Sequence, residues 1–152
     1  MKALYAAVAL AIVPGVLSAN DATYPSEKVA AFVVERLDAT TLPQPIRPKH
    51  EKGKKTLAEY GFVPREVQEK EAVLSGGQDG REIGIRILEQ NASGIFACVQ
   101  GRSQSSNEDF QRVLLIKHES KGSLLKTRES FRDFAGCPAI GNTDGGSDSY
   151  GG

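Results

Sequence analysis

The residues whose types and spacing are most suited to chemistry are the cations between Pro43 and Lys55. The stretch reads PQPIRPKHEKGKK, and its cations are Arg47, Lys49, Lys52, Lys54 and Lys55, against the single carboxylate of Glu51. The three prolines favour an extended backbone that presents side chains outward. Such a stretch is either an anion-binding patch or a solvated linker between two elements, since loops lie on the surface and are polar. The linker is the favoured interpretation from the sequence.

The partner that suits this basic stretch is an anionic component of a cell envelope or an acidic protein. The whole chain carries 19 Lys and Arg against 19 Asp and Glu, so any attraction to an anion must be local. Aromatic residues are not interleaved with the cations, which disfavours single-stranded nucleic acid, because its bases need stacking platforms.

Catalytic constellations are sparse in this sequence. The chain has two histidines, His50 among the lysines and His118 at the end of an apolar run, beside Glu119. Neighbouring strand residues point to opposite faces, so His118 and Glu119 are poorly placed to act together. Two histidines and two cysteines are also too widely spaced for a structural zinc site. We therefore expect no catalytic residues, no metal and no cofactor.

The two cysteines, Cys98 and Cys137, are predicted to form a disulfide. A pair of cysteines in an exported protein more often forms a bridge than stays free. The bridge would close a loop of about 39 residues and stabilise the fold by roughly 3–4 kcal/mol in the chain-entropy model.

The first 19 residues have the pattern of a secretory signal peptide. Lys2 precedes an apolar run from Ala3 to Val13, and Pro14 and small residues follow. The run is too short to span a bilayer, which takes about 20 apolar residues. We expect cleavage after Ala19, with Ser18 as the alternative, a secreted or periplasmic location, and no transmembrane segment in the mature chain.

The mature chain is predicted to hold one domain. Its parts are an N-terminal segment and helix at 20–42, the basic linker at 43–55, a sheet at 56–140 and a disordered glycine-rich tail at 141–152. The tail has too little apolar surface to offset the entropy of ordering it. The helix is expected over 27–38, with Ser26 as N-cap. Its apolar stripe has the spacing of one helix face and consists of Val29, Phe32, Val33 and Leu37.

The rest of the chain reads as antiparallel strands joined by short turns. The clearest strand has Ile83, Ile85 and Ile87 alternating with other residues, which is a period-two pattern. Residues 65–74 are ambiguous between helix and strand, and one strand is the favoured interpretation. The predicted fold class is α+β, with the helix packed on a four- to five-stranded antiparallel meander, a cystatin-like architecture. Asn91-Ala92-Ser93, in a turn, fits the N-glycosylation acceptor pattern, which matters only in a eukaryotic source.

These features together favour an exported, non-enzymatic binding or interaction module. The alternatives are a small extracytoplasmic enzyme and an inhibitor of a secreted enzyme. A pocket under the helix that holds His118 or Glu129 would favour the enzyme, and exposed loops at 75–81 or 102–109 would suit the inhibitor.

Overall fold

The structure, a computed structural model, describes residues 24–102, 109–120 and 123–137. It consists of α1 (Val29–Arg36), β1 (Phe62–Val67), β2 (Glu71–Gly76), β3 (Arg81–Asn91), β4 (Gly94–Arg102), β5 (Asp109–His118) and β6 (Leu125–Glu129). The six strands form one sheet in chain order, and every neighbouring pair is antiparallel. The predicted signal peptide and the predicted tail lie outside the described residues.

The predicted fold class, a helix packed on a four- to five-stranded meander, is wrong. The molecule is mostly a six-stranded antiparallel sheet with one short helix. The extra strand arises at 65–74, where two strands meet at a turn around Glu69, closed by a hydrogen bond of 2.7 Å from Gln68 N to Glu71 O. This turn contains no Gly, Pro or Asn, so the sequence carries none of the usual turn signals.

The first strand, β1, is the open edge of the sheet. Val63 is 60% exposed, while its neighbour Phe62 is buried. Pro64 lacks an N–H, and the pairing with β2 is irregular between Pro64 and Glu66. Both features are typical of edge strands that avoid pairing with another chain.

The helix α1 begins later than the sequence predicts because a distant hairpin caps it. Ser26 does not act as N-cap. Glu69, in the β1–β2 turn, accepts hydrogen bonds from Lys28 N to its Oε1 at 2.8 Å and from Ala30 N to its carbonyl at 3.3 Å. These bonds satisfy N–H groups that a helix start leaves without partners, so the helix begins at Val29.

The helix also ends early, because the sheet offers the next residues other partners. Leu37 adopts an extended conformation, and Asp38 N donates to Leu125 O at 2.8 Å. Three residues later, Thr41 accepts from Thr127 N at 2.9 Å and from the Thr127 hydroxyl at 2.5 Å. This segment therefore lies along β6 and covers that edge of the sheet.

One face of the sheet carries the main core. Ile83, Ile85 and Ile87 of β3 are all at most 7% exposed, in agreement with the alternation in the sequence. Val29 and Val33 of α1 pack in the same cluster. Further members from the neighbouring strands are Leu74, Ala97, Val99, Phe110, Leu114 and Ile116. Among the described residues no helix has the length and apolar character needed to cross a membrane.

The opposite face is covered by the segment that follows β6. Cys137 is bonded to Cys98 of β4, as predicted, with the two Cα atoms 5.8 Å apart. Both cysteines are buried together with Phe96 and Val113, and Phe134 packs against them. The chain therefore returns across this sheet face and covers β4 on its second side.

Arg132 holds this returning segment in place through one carboxylate and two rings. Its guanidinium donates to both oxygens of Glu89, at 2.8 and 2.7 Å. The guanidinium carbon also lies 4.9 Å from the centroid of the Phe134 ring and 5.2 Å from that of Phe96. The pKa of Glu89 lies below its ordinary value of 4.5. The main cause is the hydrogen bonding from Arg132, and the hydrogen bond from Asn91 is the next largest.

Acid is expected to destabilise the protein through such carboxylates. The pKa values of Glu59, Glu89 and Glu119 are all lowered from 4.5 by hydrogen bonds. A lowered pKa in the folded state contributes stability above the unfolded pKa, and that stability is lost as the pH falls through the folded pKa. Urea unfolding should therefore show a free energy of unfolding that declines as the pH falls below about 4.5.

The substitution Glu89→Gln isolates the contribution of Glu89 to the loss of stability in acid. The variant is expected to be less stable than the wild type at pH 7 and to lose part of the acid dependence. Glu27→Gln is the matched control, because Glu27 is exposed and has no hydrogen bond or ion pair within the described ranges. An acid dependence in Glu89→Gln as steep as in the wild type would contradict the role of the Arg132 pair.

Candidate anion-binding loop

The basic stretch 43–55, called the basic loop below, is fastened to the sheet by a buried side chain. Ile46 is 2% exposed and packs over Gly101 of β4. A Cβ atom at position 101 would lie 1.9 Å from Ile46 Cγ2. Glycine at this point of β4 therefore makes room for the side chain that anchors the loop.

The start of the basic loop is held by hydrogen bonds to its own backbone. Arg47 donates from its Nε to the carbonyl of Leu42 at 2.5 Å and from its backbone N to Pro43 O at 3.0 Å. Arg81, at the start of β3, donates to the carbonyl of Pro45. The first half of the loop is thus tied both to the preceding turn and to the sheet.

The middle of the basic loop is closed around the hydroxyl of Tyr60. This hydroxyl accepts from Glu51 N and donates to Lys54 O, both at 3.4 Å. The carboxylate of Glu51 pairs with Lys54 Nζ at 2.6 Å and accepts from Gln78 Nε2 at 2.7 Å. Gln78 belongs to the β2–β3 turn, so this end of the sheet is also tied to the loop.

The end of the basic loop leads into a capped turn. Glu59 Oε2 accepts from the backbone N of Lys55 at 2.8 Å and of Thr56 at 2.7 Å, and Glu59 N donates back to the Thr56 hydroxyl at 3.3 Å. This reciprocal pattern is a capping box. The backbone bonds from Thr56 and then Lys55 are the main cause of the lowered pKa of Glu59. Ala39 N also donates to Lys55 O at 2.7 Å.

The five predicted binding cations therefore fall into two groups. Arg47 and Lys54 make internal contacts that hold the loop. Lys49, Lys52 and Lys55 are exposed, and their ammonium groups make no ion pair in the part of the chain that the structure describes. These three lysines, called the outward lysines below, are the exposed cations of the loop that the internal contacts leave free; Arg47 is also exposed, but its Nε is bonded to Leu42.

A shallow cleft lies between the basic loop and the β2–β3 turn. It is lined by Lys49, Glu51, Tyr60, Phe62, Gln78 and Arg81, among others. Arg81 is partly offset by Asp79, with Nη2 and Oδ2 3.4 Å apart. This cleft was not predicted from the sequence, because its walls come from segments about 30 residues apart that only the sheet brings together.

His118 and Glu119, the histidine–carboxylate pair weighed from the sequence, turn to different partners. The ring of His118 stacks on Tyr24, with centroids 5.6 Å apart, and its Nδ1 lies 2.9 Å from Ser123 O. Glu119 pairs with Lys126 Nζ at 2.6 Å. Glu129, the other candidate, is exposed. Among the described residues, neither Glu119 nor Glu129 forms a hydrogen bond with His118.

Metal ligands are not clustered in residues 24–102, 109–120 and 123–137, where no group of three or more His, Cys, Asp or Glu is placed to hold an ion.

Comparisons of this chain with protein-family models, with curated proteins and with solved structures found no match. The basic loop is therefore the feature of the described structure that points to a function.

Proposed function

We propose that this protein is an exported, non-enzymatic binding module that uses the outward lysines to bind an anionic component of a cell envelope. The observation that carries the proposal is the fastening of the basic loop by Ile46, Tyr60 and Arg81. These contacts stabilise the fold and also hold the outward lysines on a fixed backbone, which a mobile linker would not do.

A fixed loop favours binding for an energetic reason. Association costs roughly 0.5–1.5 kcal/mol for each long side chain that becomes ordered, and more when the backbone must be ordered as well. In this loop the backbone is already held, so a partner orders only the lysine side chains. Each cation near an anionic surface contributes about 1 kcal/mol, and three give on the order of a hundredfold in affinity.

Export is part of the proposal and has two supports. Residues 1–19 have the charge and apolar pattern of a signal peptide. The Cys98–Cys137 pair is at bonding distance, and structural disulfides persist mainly in oxidising compartments outside the cytosol. Both features fit a protein that meets its partner at a cell envelope, in secreted or periplasmic form.

The test is co-sedimentation of the mature chain with cell-envelope fractions at low ionic strength. The variant Lys49→Gln/Lys52→Gln/Lys55→Gln is expected to bind on the order of a hundredfold more weakly than the wild type. The fold should be unaffected, because these side chains are exposed.

The matched control removes the same charge elsewhere. Lys28→Gln/Lys70→Gln/Lys117→Gln has the same net charge as the loop variant but leaves the basic loop intact, and it is expected to bind like the wild type. Equal weakening of both variants would show that only net charge matters and would contradict the proposal. Binding that survives lipid extraction of the fraction but not protease treatment would instead point to an acidic protein as the partner.

A further inference from the structure

The sequence contains one stretch with the N-glycosylation acceptor pattern Asn-x-Ser/Thr, namely Asn91-Ala92-Ser93. The structure places it at the tip of the β3–β4 hairpin. Asn91 and Gly94 form the last pair of the ladder, so Ala92 and Ser93 make the two-residue turn. All three residues of the pattern are exposed, and a group attached to Asn91 would therefore extend into solvent.

The side-chain amide of Asn91 is oriented by two hydrogen bonds. Its Oδ1 accepts from Ser93 N at 2.8 Å, and its Nδ2 donates to Glu89 Oε1 at 2.8 Å. A primary amide nitrogen carries two hydrogens. Glycosylation replaces one of them, and one N–H group remains on the nitrogen. All three residues of the pattern are exposed, so the folded hairpin has space for the attached sugar.

Asn91 lies at the opposite end of β3 from the contact between Arg81 and the basic loop. β3 runs from Arg81, which contacts the loop, to Asn91 at the other end. With a rise of roughly 3.3 Å per residue, an eleven-residue strand separates the two ends by about 30 Å. A glycan on the hairpin tip would therefore stand away from the first half of the basic loop, where Pro45 contacts Arg81.

We propose that Asn91 is an N-glycosylation site, modified during export by a transferase that uses a polyprenyl-diphosphate-linked oligosaccharide. The amide nitrogen of Asn91 attacks the anomeric carbon of the reducing-end sugar, and a carbon–nitrogen bond forms. The bond from that carbon to the phosphate oxygen breaks, and the lipid diphosphate leaves with the electron pair. The amide proton passes to a base of the transferase. The proposal requires entry into a eukaryotic secretory pathway and does not depend on an anionic partner.

The experiment is translation of the full chain in the presence of endoplasmic-reticulum microsomes. Protection from added protease measures import, and an endoglycosidase-sensitive decrease in gel mobility measures glycosylation. The wild type should be imported and shifted. Asn91→Gln and Ser93→Ala should be imported but not shifted, whereas Ser93→Thr keeps the acceptor pattern and should be shifted like the wild type.

Three results would overturn this inference. Import of the wild type without a shift would show that Asn91 is not an acceptor. A shift that persists in Asn91→Gln would place the glycan elsewhere. A chain that is not protected from protease does not enter the pathway, and the premise of the inference would then be wrong. None of these results depends on whether the outward lysines bind an anion.

Discussion

Replacing Cys98 and Cys137 together by alanine is expected to lower the free energy of unfolding by about 3–4 kcal/mol. The two residues lie 39 positions apart, and a bridge across such a loop removes many conformations from the unfolded chain. The effect should be large for this protein, because β4, which carries Cys98, relies on the returning segment to cover its second face. Without the bridge, that segment is held only by noncovalent contacts, namely those of Phe134 and Arg132 and the hydrogen bonds from Arg86 and Gln111 to Gly136 O.

Urea unfolding of both proteins measures this difference. Both cysteines are almost completely buried, so a reductant reaches the bridge mainly in the unfolded state. Added reductant should therefore lower the unfolding midpoint of the wild type and leave the double alanine variant unchanged. A variant within about 1 kcal/mol of the wild type, well below the usual range for a bridge of this span, would contradict the structural role of the bridge.

Ile46→Ala is expected to cost about 2–5 kcal/mol of unfolding free energy, the usual range for a fully buried isoleucine. It should also weaken anion binding, although it removes no charge, because the basic loop loses its anchor and must then be ordered by the partner. Ile46→Val is the matched variant. It keeps most of the contact with Gly101 and should cost about 0.5–1.5 kcal/mol, with binding close to that of the wild type.

The contact between Ile46 and Gly101 is testable by a double-mutant cycle. Gly101→Ala alone places a Cβ 1.9 Å from Ile46 Cγ2, and overpacking of this kind typically costs about 1–3 kcal/mol. In the Ile46→Ala background that methyl group is absent, so Gly101→Ala should cost clearly less. Strictly additive costs would show that the two residues are not in contact.

The strands predicted most accurately from the sequence are those in which the pattern of apolar residues follows the burial of the side chains. The alternation of Ile83, Ile85 and Ile87 matches the core face of β3. The run around Phe96 and Cys98 is apolar at every position because β4 is covered on both faces. In both cases the pattern along the chain is a direct result of what packs on the sheet.

The features that the sequence did not predict depend on partners far along the chain. The turn at Glu69 consists of charged residues with good helix propensity, and only the pairing of β1 with β2 reveals it. The same residue fixes the start of α1. A pattern-based prediction places Ser26 at the cap because it considers local residues alone, whereas Glu69 lies about 40 residues away.

The basic loop was predicted as a set of cations but not as a fixed structure. Composition alone treats Arg47 and Lys54 as equal to the outward lysines. Their internal roles depend on the carbonyl of Leu42 and on Glu51, partners that the sequence pattern does not indicate. The hydrogen bonds between the Tyr60 hydroxyl and the basic loop were not predicted either, because an aromatic residue after a polar stretch is usually interpreted as a core residue.

The measurement that tests the central claim most directly is the salt dependence of binding to the envelope fraction. In polyanion binding each cation–anion contact adds roughly 0.7–0.9 to the slope of the logarithm of affinity against the logarithm of salt concentration. The loop variant lacking the outward lysines should therefore have a slope shallower by roughly two units, while the Lys28→Gln/Lys70→Gln/Lys117→Gln control keeps the wild-type slope. Equal slopes for all three proteins would contradict the assignment of the basic loop as the anion-binding site.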